Sequence, residues 1–222
     1  MRRALSFLAA AVIFFGSSAR VFAPAVRCVE TEEKVVALTF DDGPHPTLTC
    51  DILKTLEKYG VRATFFVIGQ NADNYPDALR MAVSLGHEIG NHTYTHRSIL
   101  KKGQKEIKDE IERAEEKILS VCGAKTKVFR PPEGCYNKDV AAAAGELGYS
   151  VILWNIDTRD WAHRGTAEIV SNIKKNIRPG SVILFHDYVS GTSHTRDVLE
   201  TIVPYLLALG YRFVTVSELL ES

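Results

Sequence analysis

From residue 34 to the end of the chain, two kinds of apolar pattern alternate. Short continuous apolar runs at 34–39, 63–68, 87–91, 127–129, 151–156, 181–185 and 212–216 read as strands buried on both faces. Between them, apolar residues recur at helical spacing. Ile52, Leu53 and Leu56 mark a helix over 47–59, and Ile107, Ile111, Ala114 and Ile118 mark one over 104–121. Further helices are predicted over 76–85, over the alanine-rich 138–147, over 166–177 with Thr166 as N-cap, and over 195–209. Gly60, Gly86 and Gly148 follow three of these segments, where a residue at ease in the left-handed region ends a helix. About seven β/α alternations in 222 residues predict one α/β domain with a parallel sheet covered by helices. A (β/α) barrel and an open doubly wound sheet both satisfy the pattern, and no internal repeat or second domain is visible.

The N-terminus follows another rule. Arg2 and Arg3 precede an apolar run over 4–15, and small residues follow at Ser17-Ser18-Ala19 and Ala23-Pro24-Ala25. That is the layout of an export signal cleaved after Ala19 or Ala25, with retention as an N-terminal anchor as the alternative. The run is shorter than the roughly 20 apolar residues that span a bilayer. Residues 1–25 are therefore read as signal peptide or anchor, 26–33 as a linker and 34–222 as the folded domain. An exported protein is expected, secreted or associated with the cell envelope. The 27 basic and 27 acidic side chains give a nucleic-acid partner no support. Losing 1–25 would remove Arg2, Arg3 and Arg20 and leave a net charge of −3. Cys28, Cys50, Cys122 and Cys135 could form disulfides outside the cytosol, and their lack of C-x-x-C spacing argues against a cysteine zinc site. Cys50 and Cys135 follow strand ends that carry polar site candidates, whereas Cys28 and Cys122 precede strands. Pairing within each set is one reading, and four ordinary thiols are the alternative.

Where the polar residues fall carries the functional argument. Asp41-Asp42, His92, Arg130, Asp157, Asp160 and His186 all lie at or just past the C-terminal end of a strand, which in a β/α barrel is the active-site face. The first pair ends the run Ala37-Leu38-Thr39-Phe40 and is followed by Gly43-Pro44. Neighbouring side chains on an extended backbone point to opposite sides, so one aspartate can hold a metal while the other takes a proton. His92 and His96 in Asn91-His92-Thr93-Tyr94-Thr95-His96 are spaced i, i+4. A helix, or a loop turning back on itself, would aim both rings at one point; with Asp42 they make three ligands and leave a position open. In Phe129-Arg130-Pro131-Pro132-Glu133-Gly134 the prolines stiffen a loop that can present a backbone N–H to an oxyanion, and Arg130 can brace a carboxylate. Trp154 and Trp161 flank Asp157 and Asp160 and offer flat faces to sugar rings. His186, ending the apolar run 182–185, titrates near neutrality and suits a general acid.

In their order, Thr-Phe-Asp-Asp-Gly-Pro, His-Thr-x-x-His, Arg-x-Pro-x-Gly, Asp-Trp and Leu-x-His resemble the polysaccharide deacetylases of carbohydrate esterase family four, over 34–220. The resemblance implies a distorted (β/α) barrel with about seven parallel strands. It implies Asp41 as catalytic base and Asp42, His92 and His96 as ligands of a divalent metal, usually zinc. Arg130 would hold the base and Asp160 would brace that arginine. Trp161 and Leu184 would wall the acetyl pocket, His186 would be the acid, and the amide of Glu133 would meet the oxyanion at a position usually aromatic in the family.

The expected reaction is metal-assisted removal of N-acetyl groups from a polymeric amino sugar. The substrate of first choice is the N-acetylglucosamine of cell-wall peptidoglycan, with chitin oligomers as the alternative. Two rivals remain: a glycosidase using Asp41 with Asp157 or Asp160, which leaves two histidines without a task, and a silent wall-binding barrel. A monomer, with no membrane partner beyond an N-terminal anchor, completes the expectation.

Overall fold

The computed structural model describes residues 24–222. All but the last two residues of the expected signal or anchor segment lie outside this range. The strands are β1 (Val35–Asp41), β2 (Thr64–Val67), β3 (Glu88–Asn91), β4 (Val128–Phe129), β5 (Ser150–Val151), β6 (Ile156–Asp157), β7 (Ser181–His186) and β8 (Arg212–Phe213). They pair in the order β5-β4-β3-β2-β1-β7-β6, with β8 added to β1, and every pairing is parallel. The helices are α1 (Leu48–Lys58), α2 (Gly69–Asn74), α3 (Pro76–Ser84), α4 (Gln104–Cys122), α5 (Lys138–Glu146), α6 (Thr166–Asn176), α7 (Thr195–Ala208) and α8 (Val216–Leu220). The sheet is curled, and the distorted (β/α) barrel expected from the sequence is the observed architecture.

Alternation along β1 and β7 sorts the core into two layers. Val36, Leu38, Phe40, Ile183 and Phe185 face the helices, and the Phe40 ring stacks on Phe65 and Phe185 at centroid distances of 4.9 and 5.6 Å. Val35, Ala37 and Val182 face the barrel interior with Phe66, Val128 and Ile152. Continuing inward by twos along the same strands come Thr39 and Asp41, and Leu184 and His186. The register places Asp41 beside His186. Strand period alone therefore delivers the base candidate and the acid candidate to one mouth of the barrel.

Several boundaries differ from the sequence-based reading. The single strand expected over 151–156 is two strands, β5 and β6, because the chain leaves the ladder between them. There the carbonyls of Ile152 and Leu153 accept hydrogen bonds from the Arg130 guanidinium, at 3.2 and 3.0 Å. The last expected strand, 212–216, stops at Phe213, and α8 follows. Its capping box, Thr215 with Glu218, was readable in the sequence as Thr-x-x-Glu. Gly165, and not Thr166, caps α6.

Residues 26–33 are not a free linker. Val26 bridges Ile152, Cys28 bridges Ser181, and the Val29 N–H donates to the Gly180 carbonyl at 3.0 Å. This segment fills the gap left between β5 and β7. Gly180 permits the approach, since a Cβ there would stand 1.8 Å from the Val29 carbonyl oxygen.

The expected disulfides are absent: all four cysteines are free. The Cys28 thiol lies beside Arg178, Cys122 donates to the Ile118 carbonyl within its own helix, and Cys135 lies beside Glu133. Three of the four thiols are thus engaged locally, and neither expected pair is bonded. Among the described residues no helix is long and apolar enough to cross a membrane.

Candidate active site

Asp42 leaves β1 with a left-handed backbone, φ +76°. The opposed-side expectation for consecutive strand residues therefore fails here, and both carboxylates turn to the same histidine. Asp41 Oδ2 lies 3.8 Å and Asp42 Oδ1 3.4 Å from His92 Nε2. His96 Nε2 lies 3.1 Å from the same Asp42 oxygen. One ligand atom from each of Asp42, His92 and His96 can be chosen so that all lie within 4.8 Å of one another.

The two histidines sit on a loop after β3, not on a helix. Thr93 and His96 are both left-handed, which turns the loop back on itself. Helix α2, which has no period long enough to be read from the sequence, anchors this loop: the Gly69 and Gln70 N–H groups donate to the carbonyls of Thr93 and Tyr94, both at 3.0 Å. Glu110 of α4 accepts from the Thr95 N–H and hydroxyl at 2.8 and 2.9 Å.

His92 Nδ1 lies 2.7 Å from the Arg130 carbonyl oxygen. A carbonyl only accepts, so Nδ1 carries a proton toward Arg130 and Nε2 is the ring nitrogen turned to Asp42. Asp42 Oδ1 is buried and satisfies no hydrogen bond, although two imidazole nitrogens face it. A buried carboxylate oxygen left in this way, opposite two imidazoles, is a donor set that suits a divalent cation such as zinc. Burial would raise the Asp42 carboxyl, yet the two imidazoles outweigh it and hold it far below the usual carboxylate range.

Asp41 is held from the other side. Arg130 is fully buried, and its Nη1 donates to Asp41 Oδ1 at 2.6 Å and to the Thr39 hydroxyl at 2.9 Å. The guanidinium also lies over the Phe66 ring, 4.1 Å from its centroid. One Asp41 oxygen is thereby fixed, and the other faces the space around His92.

Asp160 does not brace Arg130, as the resemblance implied. Its Oδ1 lies 2.8 Å from His186 Nδ1, and its Oδ2 accepts from the His186 N–H and the Thr195 hydroxyl, each at 2.8 Å. Arg130 instead spends its remaining N–H groups on the carbonyls of Ile152 and Leu153, so Asp160 is the positioning partner of His186. Burial would push that imidazole down, but Asp160 and the charges of Asp41 and Asp42 prevail and hold it up at about 9. Thr39 and Thr195 were missed in the sequence. Thr39 could have been found from its inward position two residues before Asp41; Thr195 carries no comparable signal.

Glu133 stands in a tight turn, Pro132–Gly134, with φ +58°. Its charge is felt at His96, which Asp42 holds above its ordinary value against the pull of burial. Trp161 is 54% exposed on the turn Asp160–Ala162, and Leu184 is buried on β7. Asp157 does not join the cluster. Its Oδ1 accepts from the Arg159 N–H, and its side chain lines a groove against α6. With Asp41 tied to Arg130 and Asp160 to His186, the glycosidase reading has no free pair of carboxylates.

Gly43 and Asp187 add a constraint the sequence did not reveal. Asp187 is fully buried, accepts from the Thr49 hydroxyl at 2.6 Å, and has its carboxyl pushed up to about 7 by burial and by the nearby charges of Asp42 and Asp41. A Cβ on Gly43 would stand 2.0 Å from Asp187 Oδ2. Gly43→Ala is therefore expected to displace the Asp42 backbone and to weaken zinc binding about 10- to 100-fold, the range for disturbed supports of metal ligands. Isothermal titration with zinc checks this, and circular dichroism confirms that the variant is folded.

The family model for polysaccharide deacetylase matches residues 29–152. The chain belongs to the polysaccharide deacetylase family. Family membership makes it a hydrolase, and the deacetylases of this family depend on a divalent metal. A peptidoglycan-N-acetylglucosamine deacetylase of Bacillus cereus is 40% identical over 195 residues, covering 87% of this chain and 91% of that relative. A chitooligosaccharide deacetylase of Bradyrhizobium is 42% identical over 153 residues, covering 68% of this chain and 70% of the relative. The solved structure of the Bc1960 peptidoglycan N-acetylglucosamine deacetylase superposes with a TM-score of 0.84 at 36% identity, over 87% of this deacetylase chain and 91% of that one.

Proposed function

We propose that this chain removes N-acetyl groups from N-acetylglucosamine in cell-wall peptidoglycan, using a divalent cation, zinc by choice of ligands, held by Asp42, His92 and His96. The observation that carries the reading is the buried, unsatisfied Asp42 oxygen facing two imidazole nitrogens, with a second carboxylate alongside. When bound, such a cation supplies Lewis-acid polarisation and lowers the pKa of a water.

The chain's own groups do the rest. Asp41, its Oδ1 fixed by Arg130, is the base that takes a proton from the attacking water. The Glu133 N–H meets the negative charge that develops on the acetyl oxygen. His186, protonated below about 9 and oriented by Asp160, gives its proton to the departing amine, so that the sugar leaves as a free amine and the acetyl group as acetate. Leu184 and the exposed indole of Trp161 form the apolar side of the acetyl pocket.

All these residues come from one chain, so a monomer suffices. Export to the cell envelope, where the polymer lies, fits the N-terminal signal pattern. The 42% identical chitooligosaccharide deacetylase supports a second reading, with chitin oligomers as substrate. Acetate release from purified peptidoglycan and from chitin oligomers, with and without chelator, tests both. The proposal expects chelator-sensitive release, faster from peptidoglycan and without chain shortening. Faster release from chitin oligomers favours the second reading, and chain shortening without acetate refutes both.

A further inference from the structure

We propose that the groove between the turn after β6 and helix α6 is a specificity site that receives the carboxylates of the peptides carried by peptidoglycan strands. The inference rests on the wall reading above. The groove has a volume of about 530 Å³ and is lined by Asp157, Arg159, Arg164, Glu168, Asn172 and Lys175, among others. Its charges are unequally engaged. Arg164 is paired with Glu168. Asp157 Oδ1 accepts the Arg159 N–H at 2.8 Å, and its carbonyl accepts from Asn172 at 2.8 Å. The side chains of Arg159 and Lys175 make no hydrogen bond or ion pair among the described residues, so the groove presents one free guanidinium and one free ammonium. A guanidinium and an ammonium facing one cavity recognise carboxylates.

The turn itself links the groove to the reaction. Asp160 points inward to His186, while Arg159 and Trp161, the residues on either side of it, are exposed. Arg159 is left-handed, φ +54°, and Asp157 holds it there through the Arg159 N–H. Arg159 thus belongs to the same short turn that carries Asp160, the residue orienting the acid candidate. Chitin carries no carboxylates. Peptidoglycan carries peptides with free carboxylates on the sugar next to each N-acetylglucosamine, so cations placed here distinguish the two polymers.

The test compares three substrates: intact peptidoglycan strands, the same strands stripped of peptides by an amidase, and chitin oligomers. The double variant Arg159→Asn with Lys175→Gln removes both charges, and asparagine tolerates the left-handed backbone. It is expected to raise KM for the peptide-bearing strands about fivefold, the effect of two exposed ion pairs, while rates on stripped strands and chitin oligomers stay within twofold. The wild-type preference for peptide-bearing strands should shrink with added salt, and Arg159→Lys should retain most of it. Equal losses on all three substrates, or no loss on any, overturns the inference and leaves the wall reading standing. A wild-type chain that deacetylates chitin oligomers but neither wall preparation overturns the wall reading itself, and this inference with it.

Discussion

Asp41→Asn should lower the rate of acetate release by about 10³-fold while zinc binding stays within a few-fold of wild type, since removing a general base costs about 10²–10⁴-fold. The expectation follows from the division of labour between adjacent carboxylates. Asp42 Oδ1 faces both imidazoles at 3.4 and 3.1 Å, whereas Asp41 is anchored to Arg130 at 2.6 Å and stands 3.8 Å from His92. Asparagine keeps the shape and one acceptor for Arg130 but cannot accept a proton from water. Single-turnover acetate release, measured beside a zinc titration of the same preparation, checks it. A variant that loses zinc together with activity would exchange the roles of the two aspartates.

The second large effect concerns His186. His186→Ala should reduce kcat by about 10²–10⁴-fold, because an amine leaves poorly without a proton. The pH dependence has a defined sign. Wild-type activity depends on the protonated imidazole, so it holds below about 9 and falls as pH rises through that value. Asp160→Asn removes the largest influence raising that imidazole and leaves burial pulling it down, so the alkaline limb should move toward or below the ordinary value of 6.5. The same raised value makes the His186–Asp160 pair a stabilising one. Its contribution is full below 6.5 and is lost as pH rises through about 9, which thermal melts across that range will read. An alkaline limb that stays in place in Asp160→Asn would remove His186 from the role of acid.

Much of this site is legible in the sequence because strand geometry has a period of two and β/α barrels collect function at one end. Continuous apolar runs ending in Asp41, Asn91, Phe129 and His186 put the candidates at one mouth. What stayed hidden depends on partners distant in sequence. Arg130 donates to the Ile152 and Leu153 carbonyls at the point where one apolar run divides into two short strands. Asp160 meets His186 across 26 residues, where the family resemblance had assigned it to Arg130. The left-handed turn at Asp42 brings two carboxylates to one histidine, against the alternation that held through β1. Gly43 and Asp187 are ordinary letters in the sequence until one is seen to stand where the other's side chain would be. The cysteines show the converse: positions near strand ends suggested two pairings, yet all four thiols are free.

The most direct measurement is a zinc titration of the chelator-stripped chain, with acetate release followed at each addition. The account predicts one ion bound per chain, activity returning in step with occupancy, and neither binding nor activity in Asp42→Ala. Full acetate release from the stripped chain, or an Asp42→Ala variant that binds zinc and works as well as the parent, would contradict it.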